Sequence, residues 1–232
     1  MSGLRWMWGW FRGGERRPGH APRSRPRPAR GQLSLELLDD RCLPSVTLFP
    51  IPSPNTEPEG ITRGPDGNLY FAEIHAIGRI TPGGQITEFR QGLAPDSEPV
   101  EITAGPDGNV WFTEGVTDRI GRITPAGVIT EFAVPGTGGR QVFVDGITAG
   151  PDGNLWFTEQ AGAIGRITPT GLVTVFPTNS VGTLPSQPSL IAAGPDGNLW
   201  WTDTAGFVGR ITPTGAITKF AAGITEIGRA HV

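Results

Sequence analysis

The sequence predicts an all-β fold, a β-propeller of four-stranded antiparallel blades with about four blades present. Three observations carry that expectation. The ten residues GPDGNLWFTE (150–159) return as GPDGNLYFAE (64–73), GPDGNVWFTE (105–114) and GPDGNLWWTD (194–203). The copies start 41, 45 and 44 residues apart, which is the length of a propeller blade. Within each copy, short runs of β-branched and aromatic residues alternate with Gly- and Pro-containing turns.

The chain of 232 residues begins with a segment that cannot bury a core. Residues 1–32 hold eight Arg against the single acid Glu15, so they read as a disordered Arg-rich tail. The net charge is −3, which leaves the remainder at −10. No strong nucleic-acid signal emerges, and the apolar patch LRWMWGWF is too short and too interrupted to be a secretion signal. Residues 33–45, LSLELLDDRCLPS, resemble the short leader of exported planctomycete proteins, which implies an extracellular or envelope location. The alternative is a short amphipathic helix and a cytoplasmic protein. Cys42 is the only cysteine, so neither an intrachain disulfide nor a cysteine metal cluster is possible. No apolar run approaches the ~18 residues of a spanning helix.

The propeller part is expected over 46–226, with repeats at about 59–97, 98–141, 142–184 and 185–221. In the third repeat the runs ITA (147–149), NLWFTE (154–159), IGRIT (164–168) and LVTVF (172–176) read as four strands. PDGN suits a tight turn: Pro presets φ, Asp bonds its own backbone, and Gly153 tolerates positive φ. TPTG (168–171) plays the same part before the fourth strand. A lone meander cannot cover both faces, so stacking should bury Leu155, Phe157, Ile164 and Ile167 against a neighbouring blade. Trp111, Trp156, Trp200 and Tyr70 are expected in the same packing, an aromatic platform for a ligand being the alternative.

Each decapeptide ends in an acid: Glu73, Glu114, Glu159 and Asp203. Equivalent loops gather at one end of a propeller, so these carboxylates, with Glu59, Glu101 and Asp145, are expected around one mouth of the channel. Oxygen ligands of that kind suit Mg²⁺ or Ca²⁺. The alternative is that each acid caps a turn or pairs with Arg79, Arg122, Arg166 or Arg210. His75 breaks the repeat. With His20 in the tail and His231 in the final residues, it is the one imidazole of the propeller. Glu73-x-His75 therefore reads as a candidate catalytic pair, a metal-binding carboxylate beside a general acid or base.

GPDGNLWFTE followed by IGRITPxG and ITEF resembles the virginiamycin B lyase (streptogramin lyase) family over roughly residues 46–225. The resemblance implies a seven-bladed propeller that is monomeric at full length. It also implies a small cyclic peptide as substrate and Mg²⁺ as cofactor, Ca²⁺ being possible. The implied reaction opens the ring of a streptogramin B-type depsipeptide by elimination at the ester C–O bond. The metal polarises the substrate carbonyl and a His assists proton transfer. Glu73 and His75 match an acid-x-His pattern in type, but the resemblance puts the catalytic His and acids mostly in later blades, so this chain alone is expected to be inactive. A non-catalytic propeller binding a carbohydrate, a peptide or an envelope partner is the alternative, and a sugar-lactone hydrolase type is a poorer match. The closing residues EIGRAHV (226–232) read as the translation of a sequencing adapter. The expectation is a fragment cut early in a fifth blade, with 227–232 non-native. The rival is a short protein that self-assembles to close a ring.

Overall fold

The computed structural model describes residues 46–135, 141–178, 186–221 and 224–227. The expected tail 1–32, the leader-like segment 33–45 and residues 228–232 lie outside them. The expected meander forms four times. The first blade is β1 (Ile61–Arg63), β2 (Leu69–Glu73), β3 (Ala76–Ile80) and β4 (Ile86–Phe89). The second is β5 (Pro99–Ala104), β6 (Val110–Glu114), β7 (Arg119–Ile123) and β8 (Ile129–Ala133). The third is β9 (Val144–Ala149), β10 (Leu155–Glu159), β11 (Ala163–Ile167) and β12 (Val173–Pro177). The fourth is β13 (Pro188–Ala193), β14 (Leu199–Asp203), β15 (Phe207–Ile211) and β16 (Ile217–Ala221). Each sheet pairs its strands in sequence order. A further strand, β17 (Ile224–Ile227), pairs antiparallel with β16 at the outer edge of the fourth sheet.

The turns are built from the residues that the repeat supplies. In the third blade Gly153 sits at φ +76° and its amide donates to the Gly150 carbonyl at 3.3 Å. Asp152 accepts from the Asn154 side chain at 2.8 Å and from the Trp156 indole at 3.0 Å. Burial alone would raise the Asp152 carboxyl, but these bonds hold it below its ordinary value. The other GPDG turns repeat the arrangement, with the Tyr70 hydroxyl replacing the indole at 2.9 Å from Asp66.

The core lies between blades. One apolar cluster joins Tyr70 and Ile77 to Ile102, Val110, Phe112, Ile123 and Ile129. A second joins Trp111 and Ile120 to Ile147, Leu155, Phe157 and Ile167. A third joins Trp156 and Ile164 to Ile191, Leu199, Trp201 and Ile211. Leu155, Phe157, Ile164 and Ile167 are all fully buried, as expected. Trp111 and Trp156 are buried too, whereas Trp200 is only half-buried. The inner strands β1, β5, β9 and β13 pack side by side in chain order.

Polar groups repeat across these interfaces. Arg79, Arg122 and Arg166 each donate to a proline carbonyl in the next blade's TPxG turn: Pro125 at 3.0 Å, Pro169 at 3.0 Å and Pro213 at 3.1 Å. Arg122 and Arg166 also lie over the Trp and Phe rings of their own blade. The outer-strand phenylalanine of one blade covers the turn glycine of the next, so that Phe89, Phe132 and Phe176 stand over Gly127, Gly171 and Gly215. Phe49 stands over Gly84 in the same way. Its segment, residues 46–50, pairs with no strand, but Phe49 takes the place of an outer-strand residue.

Candidate functional site

Glu73, Glu114, Glu159 and Asp203 close β2, β6, β10 and β14. The antiparallel order puts these ends, the loops into the third strands and the starts of the inner strands at one end of the blades. The GPDG and TPxG turns lie at the other. The four acids are buried, and each belongs to its own blade. A Cβ built on Gly78 would lie 2.4 Å from Glu73 Oε1. The Glu73 carboxyl therefore lies across β3 toward β4, on the outer side of the blade rather than over β1.

The register decides what each acid meets. The fourth-strand residue opposite the glycine of the third strand is Glu88, Glu131, Val175 or Lys219. Glu73 is pushed up to about 7, by burial first and then by Glu88. Glu88 itself accepts from the Ser53 hydroxyl at 2.7 Å and pairs with Arg90 at 3.4 Å. These partners hold it below its ordinary value although burial opposes them. Glu114 also rises to about 7, through burial first, with Glu131 adding and the Thr117 hydroxyl, 2.5 Å away, opposing. Glu131 accepts from Arg119 and from the Ala94 amide, both at 2.6 Å. Glu159 reaches about 7 through burial and then Asp118. Asp203 differs: it accepts from the Ser186 hydroxyl at 2.6 Å and from the Gln187 and Ala205 amides at 2.9 and 3.0 Å. It caps a turn, as the alternative reading has it. Among the described residues the alternative pairing of the four acids with the repeated arginines does not form: Arg79, Arg122 and Arg166 reach the next blade's turn, and Arg210 reaches Thr218 of its own blade.

Burial encloses three of these four carboxyls, Glu73, Glu114 and Glu159, and raises them, so it favours the neutral form over the charged form that a divalent cation needs. Among the described residues no group of three or more His, Cys, Asp or Glu is placed to hold a metal ion. Among the described residues the candidate ligands stand one to a blade and form no shared site for the Mg²⁺ that the resemblance implies. The inner-strand acids do sense one another: Glu101 is raised by burial, then by Asp145 and Glu59. Asp145 is tied to the Ser189 hydroxyl at 3.1 Å and to the Gln160 amide at 3.4 Å.

His75 is exposed at the same end, at φ 62°. The equivalent loop-closing residues are Asp118 at 52°, Gly162 at 99° and Gly206 at 91°. His75 thus fills a left-handed position that two other blades give to glycine. Its Nδ1 donates to the Ser97 carbonyl at 2.8 Å, which leaves Nε2 as the lone-pair nitrogen of the neutral ring. Thermal melts should find His75→Gly within about 1 kcal/mol of the parent, because relief of the backbone offsets the lost bond. His75→Val should cost about 2 kcal/mol, since a β-branched residue resists positive φ.

Between the third and fourth blades, at this same end, lies a hollow of about 340 Å³ lined by Gln141, Phe143, Gln160, Gln187, Ser189 and Thr204. Gln141 donates to the Val116 carbonyl, and Thr204 donates to Gln187 at 2.9 Å. The lining is amide, hydroxyl and aromatic. Sequence reasoning missed this hollow because its residues stand outside the repeat. The available signal was the departure from repetition itself, such as Gln160 where the first blade has Ile74.

Comparison with known proteins agrees with this architecture. The model of the virginiamycin B lyase family matches residues 42–231. A catalytically inactive histidine-to-alanine variant of virginiamycin B lyase from Staphylococcus aureus, solved with quinupristin, is 40% identical with a TM-score of 0.68. That alignment covers 75% of this chain and 59% of the other. A selenomethionine-substituted virginiamycin B lyase from the same organism is 39% identical, TM-score 0.69, over 76% and 59% of the two chains. A streptogramin B lyase is 36% identical, TM-score 0.67, over 77% and 59%. None of the curated proteins searched matches. The chain spans about 59% of the length of these solved relatives. The decapeptide repeat, the interlocked blades and the family match over most of the chain lead to one conclusion: the chain belongs to the virginiamycin B lyase family.

Proposed function

We propose that this chain forms part of the ligand-facing rim of a virginiamycin B lyase-like propeller. The whole protein would open streptogramin B-type cyclic depsipeptides by elimination, and the described blades would contribute binding rather than chemistry. The observation that carries this reading is the amide-lined hollow at the acidic-loop end of a chain 36–40% identical to streptogramin lyases. A depsipeptide presents amide and ester carbonyls together with apolar side chains. The Gln141, Gln160 and Gln187 amides supply donors for the carbonyls, and Phe143 supplies an apolar surface.

His75 is the imidazole of the described residues, exposed at this same end, and in this reading is the candidate general acid or base. Glu73 is enclosed and faces Glu88, so in this reading it supports the fold around His75 rather than touching a ligand. The Mg²⁺ expected from the resemblance would polarise a substrate carbonyl, but the described residues offer it no three-ligand group, and no step is assigned to it. A non-catalytic propeller is the second reading. It is favoured by the hollow's lining, whose described residues carry no titratable side chain.

Isothermal titration of the 232-residue chain with quinupristin tests both. Saturable binding is expected, weakened at least about tenfold when Gln160 and Gln187 are both changed to Ala, in line with the loss of one or two ligand hydrogen bonds. Chromatography with mass spectrometry should find the ring intact. A linear product of unchanged mass would instead mean that these blades carry out the elimination. Absent binding, with saturable binding of a neutral oligosaccharide that the same double substitution abolishes, would favour the second reading.

A further inference from the structure

The segment that leads into the third blade departs from the other three. Four residues before the inner-strand isoleucine stand Glu57, Glu98 and Gln187 in the first, second and fourth blades, but Phe143 in the third. Just before that position the hydroxyl residues Thr56, Ser97 and Ser186 give way to Val142. Just after it, where the other blades have proline, stands Val144. Val142 and Val144 are buried at 0% and 1%, while Phe143 between them is 43% exposed. Two buried valines anchor the segment, and the ring they flank lines the hollow between the third and fourth blades.

Phe143 sits at φ 48°, a left-handed backbone that is costly for a bulky side chain and must be held by its surroundings. Its first-blade counterpart Glu57 shares a positive φ, 39°, but is an exposed acid. The hold on Phe143 comes from two blades. Asp118 Oδ1, in the second, accepts from the Val142 and Phe143 amides at 2.9 and 3.1 Å. The Phe143 carbonyl accepts from the Gln160 backbone N–H of the third blade at 3.1 Å. Asp118 is itself outside the repeat, since the third and fourth blades place Gly162 and Gly206 at its position.

We infer that Phe143 is a stacking platform for an aromatic side chain of a peptide ligand, with Asp118 as the residue that positions it, a role that rests on the ligand-facing reading of this rim. The ligand ring lies offset or edge-on against Phe143, the arrangements that aromatic pairs prefer. The ligand's carbonyls meet the glutamines. Gln187 Oε1 already accepts from the Thr204 hydroxyl at 2.9 Å, so what this amide offers a ligand is N–H. Donors beside a ring suit the carbonyls and aromatic groups of a peptide better than a sugar, whose hydroxyls need acceptors as well.

Proton NMR titration of the whole 232-residue chain with N-acetyl-phenylalaninamide and its cyclohexylalanine analogue tests this, because the two probes match in bulk and differ in the π-face. The parent should bind the aromatic probe about three- to tenfold more tightly, the gain of one aromatic pair, and shift its ring protons upfield. Phe143→Leu should bind the two equally and lose the upfield shift. Asp118→Asn keeps the accepting oxygen and should keep the preference. Asp118→Gly suits the left-handed backbone yet should lose it. Melting separates strain from binding: Phe143→Gly should melt above Phe143→Ala, although neither retains the preference. No preference in the parent, or a preference that survives Phe143→Leu, overturns the proposal. Phe143-dependent binding of maltotriose with neither amide probe bound overturns it in favour of a sugar. If the preference stands and quinupristin does not bind, the platform holds and the depsipeptide reading falls.

Discussion

Between about pH 4.5 and pH 7 the melting temperature of the chain should fall, and Glu159→Gln should remove about a third of that fall. The sign follows from protonation. Glu73, Glu114 and Glu159 each bind their proton more tightly in the folded blade, at about 7 against an ordinary 4.5. Between those two values the folded chain holds protons that the unfolded chain has released. Stability therefore falls as pH rises through that window, and flattens above it. The contribution is complete below 4.5 and gone above 7. For Glu159, enclosed and with Asp118 as its charged neighbour, the loss is at most about 3 kcal/mol. In a chain of this size that corresponds to roughly 6–12 °C. Glutamine keeps the shape and stays neutral, so the variant should lose little at low pH and gain at high pH. Melts followed by circular dichroism at stepped pH decide it. If the parent and Glu159→Gln slopes coincide, the buried-proton account of this residue is wrong.

That behaviour explains why the repeat could be seen in the sequence and its chemistry could not. The turn chemistry sits in contiguous residues: Pro, Asp and Gly of GPDGN act within five positions, so strands and turns follow from reading along the chain. The third-repeat strands expected at 147–149, 154–159, 164–168 and 172–176 begin and end within three residues of those observed. The environment of the repeated acid is set across the sheet instead. Glu73 meets Glu88 only because Gly78 leaves room between them and the register aligns Gly78 with Glu88. A similar acid in the fourth blade faces Lys219, and no local signal in WWTD announces the difference. The same limit applied to the channel mouth. Ending a strand at the right height does not fix the direction of the side chain, and Glu73 lies outward over the next strand. The hollow lined by glutamines was hidden for the opposite reason, since it is made of residues that the repeat does not contain.

Gly165→Ala should prevent stable folding of the third blade, at a cost of more than about 4 kcal/mol, as befits overpacking with no direction of relief. A Cβ at Gly165 would stand 2.1 Å from the ring of Phe157. That ring is buried in the interface between the second and third blades, among Trp111, Ile147 and Leu155, and cannot swing away. Gly121 and Gly209 face Phe112 and Trp201 in the same way, at 1.9 and 2.0 Å, so the glycine of IGR is required by a crossing aromatic ring rather than by its backbone angle. The control is Gly153→Ala. There the backbone is left-handed at φ +76°, and an added Cβ meets nothing within 4 Å. It should cost only about 1 kcal/mol, the usual penalty for a side chain at positive φ. The double change Gly165→Ala with Phe157→Ala then separates clash from backbone. Removing the ring costs about 3–5 kcal/mol by itself through the cavity it leaves. With the ring gone the alanine has space, so the pair should be far less than additive in a denaturant series. Strict additivity would mean that the glycine is needed for something other than the ring above it.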